Sequence, residues 1–120
     1  MAAILELQEH SDERGSLCAV EEQIPFAIKR VYWIYRAKGI RGGHAHKETI
    51  QGLISVRGHC LVEVHRAGST RSFQLDRPNK LLLLEPADWH IMKDFSEDAV
   101  LMVLASEPYR KDDYITEVPR

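Results

Sequence analysis

The segment Arg41-Gly42-Gly43-His44-Ala45-His46-Lys47 says more about this chain than any other stretch of its 120 residues. Side chains two positions apart on a β-strand point to the same face. A strand here would therefore place the imidazoles of His44 and His46 side by side, with Arg41 just upstream. Such a pair suits either metal binding or general acid–base catalysis, because neutral imidazole does both near pH 7.

The sequence on both sides of this segment is typical of β-strands. Runs of β-branched, aromatic and leucine residues alternate with Gly- and Pro-containing turns, and no stretch has a long apolar helical stripe capped at both ends. The predicted strands cover residues 17–20, 26–35, 49–56, 59–65, 71–75, 80–85 and 99–105. Many short strands at fairly regular spacing predict an all-β sandwich or barrel, formed as one domain over residues 1–120. The polar segment 106–120 would be a strap over the barrel or a dimer arm.

Composition and charge exclude several classes of protein. A net charge of -2 provides no basic face for nucleic acid. No apolar run reaches the roughly 18 residues that a membrane span needs. The first residues lack the basic flank and apolar core of a signal peptide. We therefore expect neither nucleic acid nor membrane as a partner, and a cytoplasmic location.

The predicted strand that ends near residue 35 has no simple amphipathic alternation. Alternation places Arg30, Tyr32 and Ile34 on one face, and Trp33 and Tyr35 on the other. A guanidinium beside an aromatic ring can line a cavity, since a buried arginine needs a partner. The alternative is that Arg30 lies at the rim and the aromatic residues form ordinary core.

The spacing of His44, His46, Gln51 and Gly58 resembles the first of the two sequence motifs of the cupin superfamily. Gln51 stands where that motif has a glutamate. The second motif is matched less closely, and its histidine corresponds to His90. The resemblance implies a small single-domain cupin, a double-stranded β-helix or jelly-roll barrel, whose inner face carries the three histidines and Gln51.

Residues 11 to 115 follow a narrower pattern. The segments that carry it are residues 12–17, 30–35, 41–47, 51, 89–90, 94–98, 100–106, 109 and 113–115. Together they resemble the sugar 3,4-ketoisomerase family, and the stretch 41–47 is the most specific of them. Members of this family act on dTDP-4-keto-6-deoxy-D-glucose in routes to unusual deoxy and amino sugars, such as those of lipopolysaccharide or S-layer glycans.

The family resemblance implies that His44 and His46 are catalytic and that the enzyme needs neither a cofactor nor a metal. It also implies a homodimer. A small barrel with open sheet edges gains stability by pairing them, and the N-terminal strand 3–7 is a candidate for exchange between subunits.

The reaction of this family fits the chemistry of these side chains. A base must remove the C3 proton, and an acid must deliver a proton to C4 through an enediol or enediolate. We favour His44 as the C3 base and His46 as its partner. Arginines would stabilise the oxyanion or the diphosphate, and an aromatic ring would stack on thymine. The substrate-binding candidates are Arg14, Arg30, Tyr32, Tyr35, Arg41, Gln51, Trp89 and His90.

The expected product is dTDP-3-keto-6-deoxy-D-galactose, with Arg14 and His90 as the positions most worth testing. Two other functions stay open. One is a metal-dependent cupin isomerase or dioxygenase that uses His44, His46 and His90. The other is a non-catalytic cupin that binds sugar nucleotides. An epimerase would be expected to use a His–Asp base and a tyrosine acid, and no local spacing in the sequence indicates them.

Overall fold

The computed structural model describes residues 1–119, and nearly all of its regular structure is β-strand. The strands are β1 Ala3–Glu6, β2 Glu9–Asp12, β3 Gly15–Cys18, β4 Arg30–Tyr35, β5 Arg41–His46, β6 Gln51–Arg57, β7 Cys60–Arg66, β8 Ser69–Leu75, β9 Lys80–Leu84, β10 Trp89–Lys93, β11 Val100–Ala105 and β12 Tyr114–Ile115. A short 3-10 turn, Lys111–Asp113, precedes β12. Within the described chain, no helix is long and apolar enough to cross a membrane.

Two five-stranded antiparallel sheets face each other, which confirms the predicted all-β cupin-like fold. The first sheet has the order β1-β9-β6-β11-β4, and the second has the order β12-β5-β10-β7-β8. Strands that are distant in sequence are therefore neighbours in each sheet, as expected of a jelly roll. Every predicted strand overlaps an observed one, whereas β2, β10 and β12 were not predicted.

The core lies between the two sheets. Its centre is made of inward-facing residues that are completely buried, among them Leu53, Val62, Leu82, Leu101 and Val103. Because alternate residues of each strand point inward, both sheets contribute to this one apolar layer. The layer fills the side of the barrel formed by β6, β7, β9 and β11. The other side, near β4 and β5, carries polar side chains instead.

The C-terminal segment is a strap along the edge of the second sheet. β12 pairs antiparallel with β5, with Tyr114 opposite His46 and Ile115 opposite Ala45. The amide of Lys47 donates to the Asp113 carbonyl at 2.8 Å and extends the pairing. Residues 106–120 were predicted to be a strap over the barrel or a dimer arm. The described part, up to residue 119, forms a strap on its own chain. Arg120 lies outside the described residues.

Candidate active site

Three histidines lie together because β5 and β10 are adjacent strands. His44 and His90 are direct cross-strand partners, and His46 lies two residues further along β5 on the same face. The ring centroids of His44 lie 5.1 Å from those of both His46 and His90. His46 and His90 are buried, whereas His44 is half-buried. The strand interpretation of the His-Ala-His segment therefore holds in the structure.

A β-bulge brings Arg41 to the same side as the histidines. Between His44 and Arg41 the strand contains one residue more than its partner, so that Arg41 lies opposite the inward-facing Met92. Gly42 and Gly43 both have positive φ, which glycine adopts without strain. A Cβ atom on Gly42 would lie 2.9 Å from the carbonyl oxygen of His90. Only glycine fits at position 42, so the sequence allows the bulge. Without the bulge, strict alternation would have placed Arg41 on the face opposite the histidines.

Three side chains of the first sheet lie across from the histidines: Arg30 and Tyr32 on β4, and Gln51 on β6. The side-chain amide of Gln51 donates to the Tyr32 hydroxyl at 3.2 Å. The Arg30 guanidinium lies 4.3 Å from the centroid of the Tyr32 ring and 5.4 Å from that of Tyr109. Burial raises the pKa of Tyr32, so its phenol keeps its proton near neutral pH. Among the described residues no carboxylate forms an ion pair with Arg30, which leaves a half-buried cation facing the site.

The strap adds Asp113 and Tyr114 to the site. The Tyr114 ring lies 4.6 Å from the rings of both His44 and His46. Asp113, which is only 4% exposed, accepts a hydrogen bond from Nδ1 of His46 at 2.8 Å. It also accepts from the Thr49 hydroxyl and, through its other oxygen, from the Glu48 amide. Burial alone would raise the pKa of Asp113, but these hydrogen bonds outweigh it and hold that pKa below the ordinary value.

The environments of the histidines favour neutral rings. Burial lowers the pKa of His90 to about 4, and its Nδ1 lies 3.1 Å from the Asp88 carbonyl, which can only accept. Burial, and then the neighbouring His46, lower the pKa of His44. Burial also lowers the pKa of His46, and Asp113 offsets part of this effect. A neutral imidazole whose Nδ1 carries the proton presents Nε2 as a base or acceptor.

Three polar side-chain atoms of the described residues are buried without a hydrogen-bond partner in the chain: Nε2 of His46, Nε2 of His90 and Oε1 of Gln51. All three belong to this site. Since buried polar atoms are nearly always hydrogen-bonded, they are the natural contacts for the polar groups of a ligand. Within residues 1–119, no group of three or more His, Cys, Asp or Glu side chains is arranged to hold a metal ion.

Of the ten residues predicted for the site, seven converge: Arg30, Tyr32, Arg41, His44, His46, Gln51 and His90. The other three lie elsewhere in this chain. Tyr35 has the opposite parity to Tyr32 and is 55% exposed on the outer face of the first sheet. Trp89 has the opposite parity to His90, and its indole N–H donates to the Thr116 carbonyl at 3.2 Å. Arg14 lies on the β2–β3 hairpin, where it pairs with Asp12 in solvent.

Three residues that contact the site were not among the predicted site residues: Asp113, Tyr114 and Thr49. Residues 113–115 were among the segments that resemble the ketoisomerases, but no local pattern assigned them a role. No local spacing indicated a His–Asp pair, but the fold forms one between His46 and Asp113, which are 67 positions apart in sequence. A tyrosine also lies against it. The pair has the geometry of an imidazole oriented by a buried carboxylate.

Comparisons with known proteins agree with this geometry. The family model FdtA (WxcM-like, C-terminal) matches residues 1–120. The TDP-4-oxo-6-deoxy-alpha-D-glucose-3,4-oxoisomerase of Aneurinibacillus thermoaerophilus is 48% identical over 110 residues, which cover 88% of this chain and 79% of that protein.

Two solved structures extend the likeness to the whole fold. A 3,4-ketoisomerase from Helicobacter canadensis is 42% identical, with a TM-score of 0.92 over 97% of this chain and 90% of that one. A His-to-Asn mutant of the 3,4-ketoisomerase QdtA from Thermoanaerobacterium thermosaccharolyticum, in complex with TDP-4-keto-6-deoxyglucose, is 35% identical, with a TM-score of 0.93 over 97% of this chain and 87% of that one. The chain therefore belongs to the FdtA family and is a sugar 3,4-ketoisomerase.

Proposed function

We propose that this enzyme moves the ketone of dTDP-4-keto-6-deoxy-D-glucose from C4 to C3 without a cofactor. The observation that carries the proposal is the cluster of His44, His46 and His90, in which two Nε2 atoms are buried without a partner. The 48% identical relative is named for this same type of reaction on a TDP-sugar. No redox cofactor is required, because the reaction only relocates hydrogen within the sugar.

In the proposed mechanism a histidine takes the C3 proton, and the electrons of that C–H bond form the C3–C4 double bond of an enediolate. The oxygen on C4 becomes the oxyanion, and the phenol of Tyr32 and the guanidinium of Arg30 are the donors available to it. The C4 oxygen then takes a proton and becomes a hydroxyl. The C3 hydroxyl loses its proton, its oxygen electrons form the C3 carbonyl, and the electrons of the C3–C4 double bond take a proton at the C4 carbon. Our preference for His44 as base shifts to His46, because only His46 of the two has a carboxylate partner among the described residues.

The arginines supply the remaining recognition. Arg30 and Arg41, both on the histidine side of the cleft, are suited to the diphosphate or the oxyanion, since a guanidinium binds such groups bidentately. Tyr32 is the one predicted stacking residue that lies inside the site. Arg14 is exposed on the hairpin of its own chain, so a contact with substrate would have to come from a second copy.

We further propose dTDP-3-keto-6-deoxy-D-galactose as the product, with His90 near the carbon that is protonated last. The cytoplasmic location, the role in glycan biosynthesis and the single domain over residues 1–120 stay predictions from the sequence.

Incubation with dTDP-4-keto-6-deoxy-D-glucose in D₂O, followed by NMR of the sugar ring, tests the function. We expect conversion to a 3-keto sugar with deuterium at C4, unaffected by EDTA, and the C4 coupling constants would identify the galacto product. Conversion that stops with EDTA and returns with added metal would instead establish a metal-dependent cupin. No conversion and no exchange at C3 in either tube would contradict the ketoisomerase proposal and leave a binding module.

We also propose a homodimer that uses the outer face of the first sheet. Val31, Trp33 and Tyr35 of β4 are 46%, 60% and 55% exposed on that face, and Ile28 and Val56 extend the apolar patch. Exposed apolar patches of this kind mark interaction sites. β1 pairs with β9 of its own chain, and exchange of the N-terminal strand would make the same contacts with the partner's β9.

Sedimentation at micromolar concentration should give twice the 13.8 kDa mass of the chain. Trp33→Lys, which places a charge in the patch, should give a monomer, whereas Ile40→Lys, at an equally exposed residue of the β4–β5 loop, should not. A wild-type protein that sediments as a monomer would contradict the dimer.

A further inference from the structure

We infer that Asp113 is a positioning residue that sets the tautomer of His46, and that the C-terminal strap is therefore part of the catalytic machinery. The inference deepens the proposed function and rests on it for its kinetic test. Asp113 does not line the cluster of imidazoles. It acts through Nδ1 of His46, on the far side of the ring from Nε2, at 2.8 Å.

The carboxylate of Asp113 is held by more donors than His46 alone. One oxygen accepts from His46 and from the Thr49 hydroxyl, and the other accepts from the Glu48 amide at 2.8 Å. Thr49 and Asp113 are both almost completely buried. The backbone amide is a donor that cannot reverse its role. The carboxylate is thus fixed in orientation and accepts at every contact.

This arrangement allows neutral His46 only one tautomer. Since the carboxylate only accepts, the proton of neutral His46 must be on Nδ1, and Nε2 keeps its lone pair. That Nε2 atom is buried without another partner in the chain. When Nε2 takes a proton, the imidazolium that forms lies beside a buried negative charge that stabilises it. His44 has no such carboxylate in the described part of the chain, and its ring contacts the Gly42 backbone instead.

Two interactions attach the C-terminal strap to β5. The pairing of Tyr114 with His46 sets the register, and the Lys47 amide bonds to the Asp113 carbonyl. In this register the 3-10 turn directs the Asp113 side chain toward the imidazole ring of His46 on β5. The same register lays Tyr114 against the rings of His44 and His46.

Asp113→Asn tests the inference, because the fixed Glu48 amide decides how the new side chain lies. Its carboxamide oxygen must face the Glu48 N–H, which turns its NH₂ group toward Nδ1 of His46. Nδ1 must then accept, so the proton moves to Nε2, where it blocks the base. We expect kcat to fall about 10²- to 10³-fold with KM changed less than about threefold. Asp112→Asn, which changes the exposed neighbouring carboxylate, is the matched control and should keep wild-type kinetics.

The pH profile gives a second readout that a merely structural role would not move. Activity requires neutral His46 and is lost as the pH falls through its pKa. Removing the carboxylate removes the effect that raises this pKa, so the acid limb of Asp113→Asn should shift to lower pH. The other titratable or charged groups around His46 are His44, His90, Arg30 and Tyr114, and they are the same in both proteins.

Thr49→Val keeps the inference testable if Asp113→Asn does not fold. It removes one donor from the carboxylate, so the negative charge acts more strongly on His46 and the acid limb should shift to higher pH. ¹⁵N NMR of the imidazoles reads the tautomer without turnover and should show Nδ1–H in the wild type and Nε2–H in Asp113→Asn. Wild-type tautomer and wild-type kcat in Asp113→Asn would overturn the inference. A wild-type enzyme without activity would contradict the proposed function instead, and the NMR result would still decide the role of Asp113.

Discussion

Replacing His46 by asparagine is expected to lower kcat about 10²- to 10⁴-fold, the contribution that one general base makes to such a reaction. His46 is the only residue of the β5 pair that combines a buried, unpartnered Nε2 with a carboxylate on Nδ1. Asparagine keeps a polar group near Nδ1 but cannot take a proton at the position of Nε2. The substitution therefore removes the chemistry while it preserves much of the packing.

The measurement is the rate of conversion together with the rate of deuterium exchange at C3. Both should fall in His46→Asn, because removal of the C3 proton precedes everything else. His59→Asn, at an exposed histidine outside the cluster, is the control and should match the wild type. Exchange at the wild-type rate without conversion would show that His46 acts after the enediolate has formed. Conversion within about threefold of wild type would remove His46 from the mechanism.

Gly58→Ala is expected to have the largest effect on stability, a loss of about 2–5 kcal/mol in the free energy of unfolding. Gly58 has a φ of 67°, in the left-handed region. A Cβ atom there would collide with the Ser96 hydroxyl and with the Asp98 carboxylate, and would lie 2.9 Å from Cα of Ala99. Ser96 cannot move freely, since its hydroxyl accepts from the His59 amide at 2.9 Å and donates to Asp98 at 2.8 Å.

Gly68→Ala is the matched control for this prediction. Gly68 also has a positive φ, 82°, but nothing lies within 4 Å of the Cβ position. Its substitution should cost only the backbone strain of about 1–2 kcal/mol. Urea unfolding of the two variants separates the terms, because the difference between them isolates the steric collision. Equal losses in the free energy of unfolding would show that the loop after residue 93 moves aside without destabilising the protein, and would contradict the steric argument for Gly58.

Much of the fold could be predicted because it depends on local patterns. The strands of the core, such as β6, β9 and β11, are runs of apolar and β-branched residues that few other structures accommodate. Two of the strands that were missed, β2 and β12, lack this signal. β2 is Glu-His-Ser-Asp and entirely exposed, and it is a strand only because it pairs with β3. β12 has two residues and exists through its pairing with β5.

The candidate site divides in the same way. The parity of β4 already placed Arg30 and Tyr32 on one face, and the structure keeps them there. The prediction included Tyr35 and Trp89 for their chemistry alone. Alternation along each strand places the Tyr35 side chain on the other face of β4 from Tyr32, and the Trp89 side chain on the other face of β10 from His90. Arg41 lies on the histidine side because of the bulge, which no count of alternating residues contains.

The sequence by itself thus determined the class of fold, the family, and the pairing of His44 with His46, since these depend on residue type, spacing and the two-residue period of a strand. Only the tertiary structure decided which histidine has a carboxylate partner. Asp113 and His46 are 67 positions apart, and their contact depends on the register in which β12 pairs with β5. That register is set by backbone hydrogen bonds between distant segments, which leave no periodic trace in the sequence.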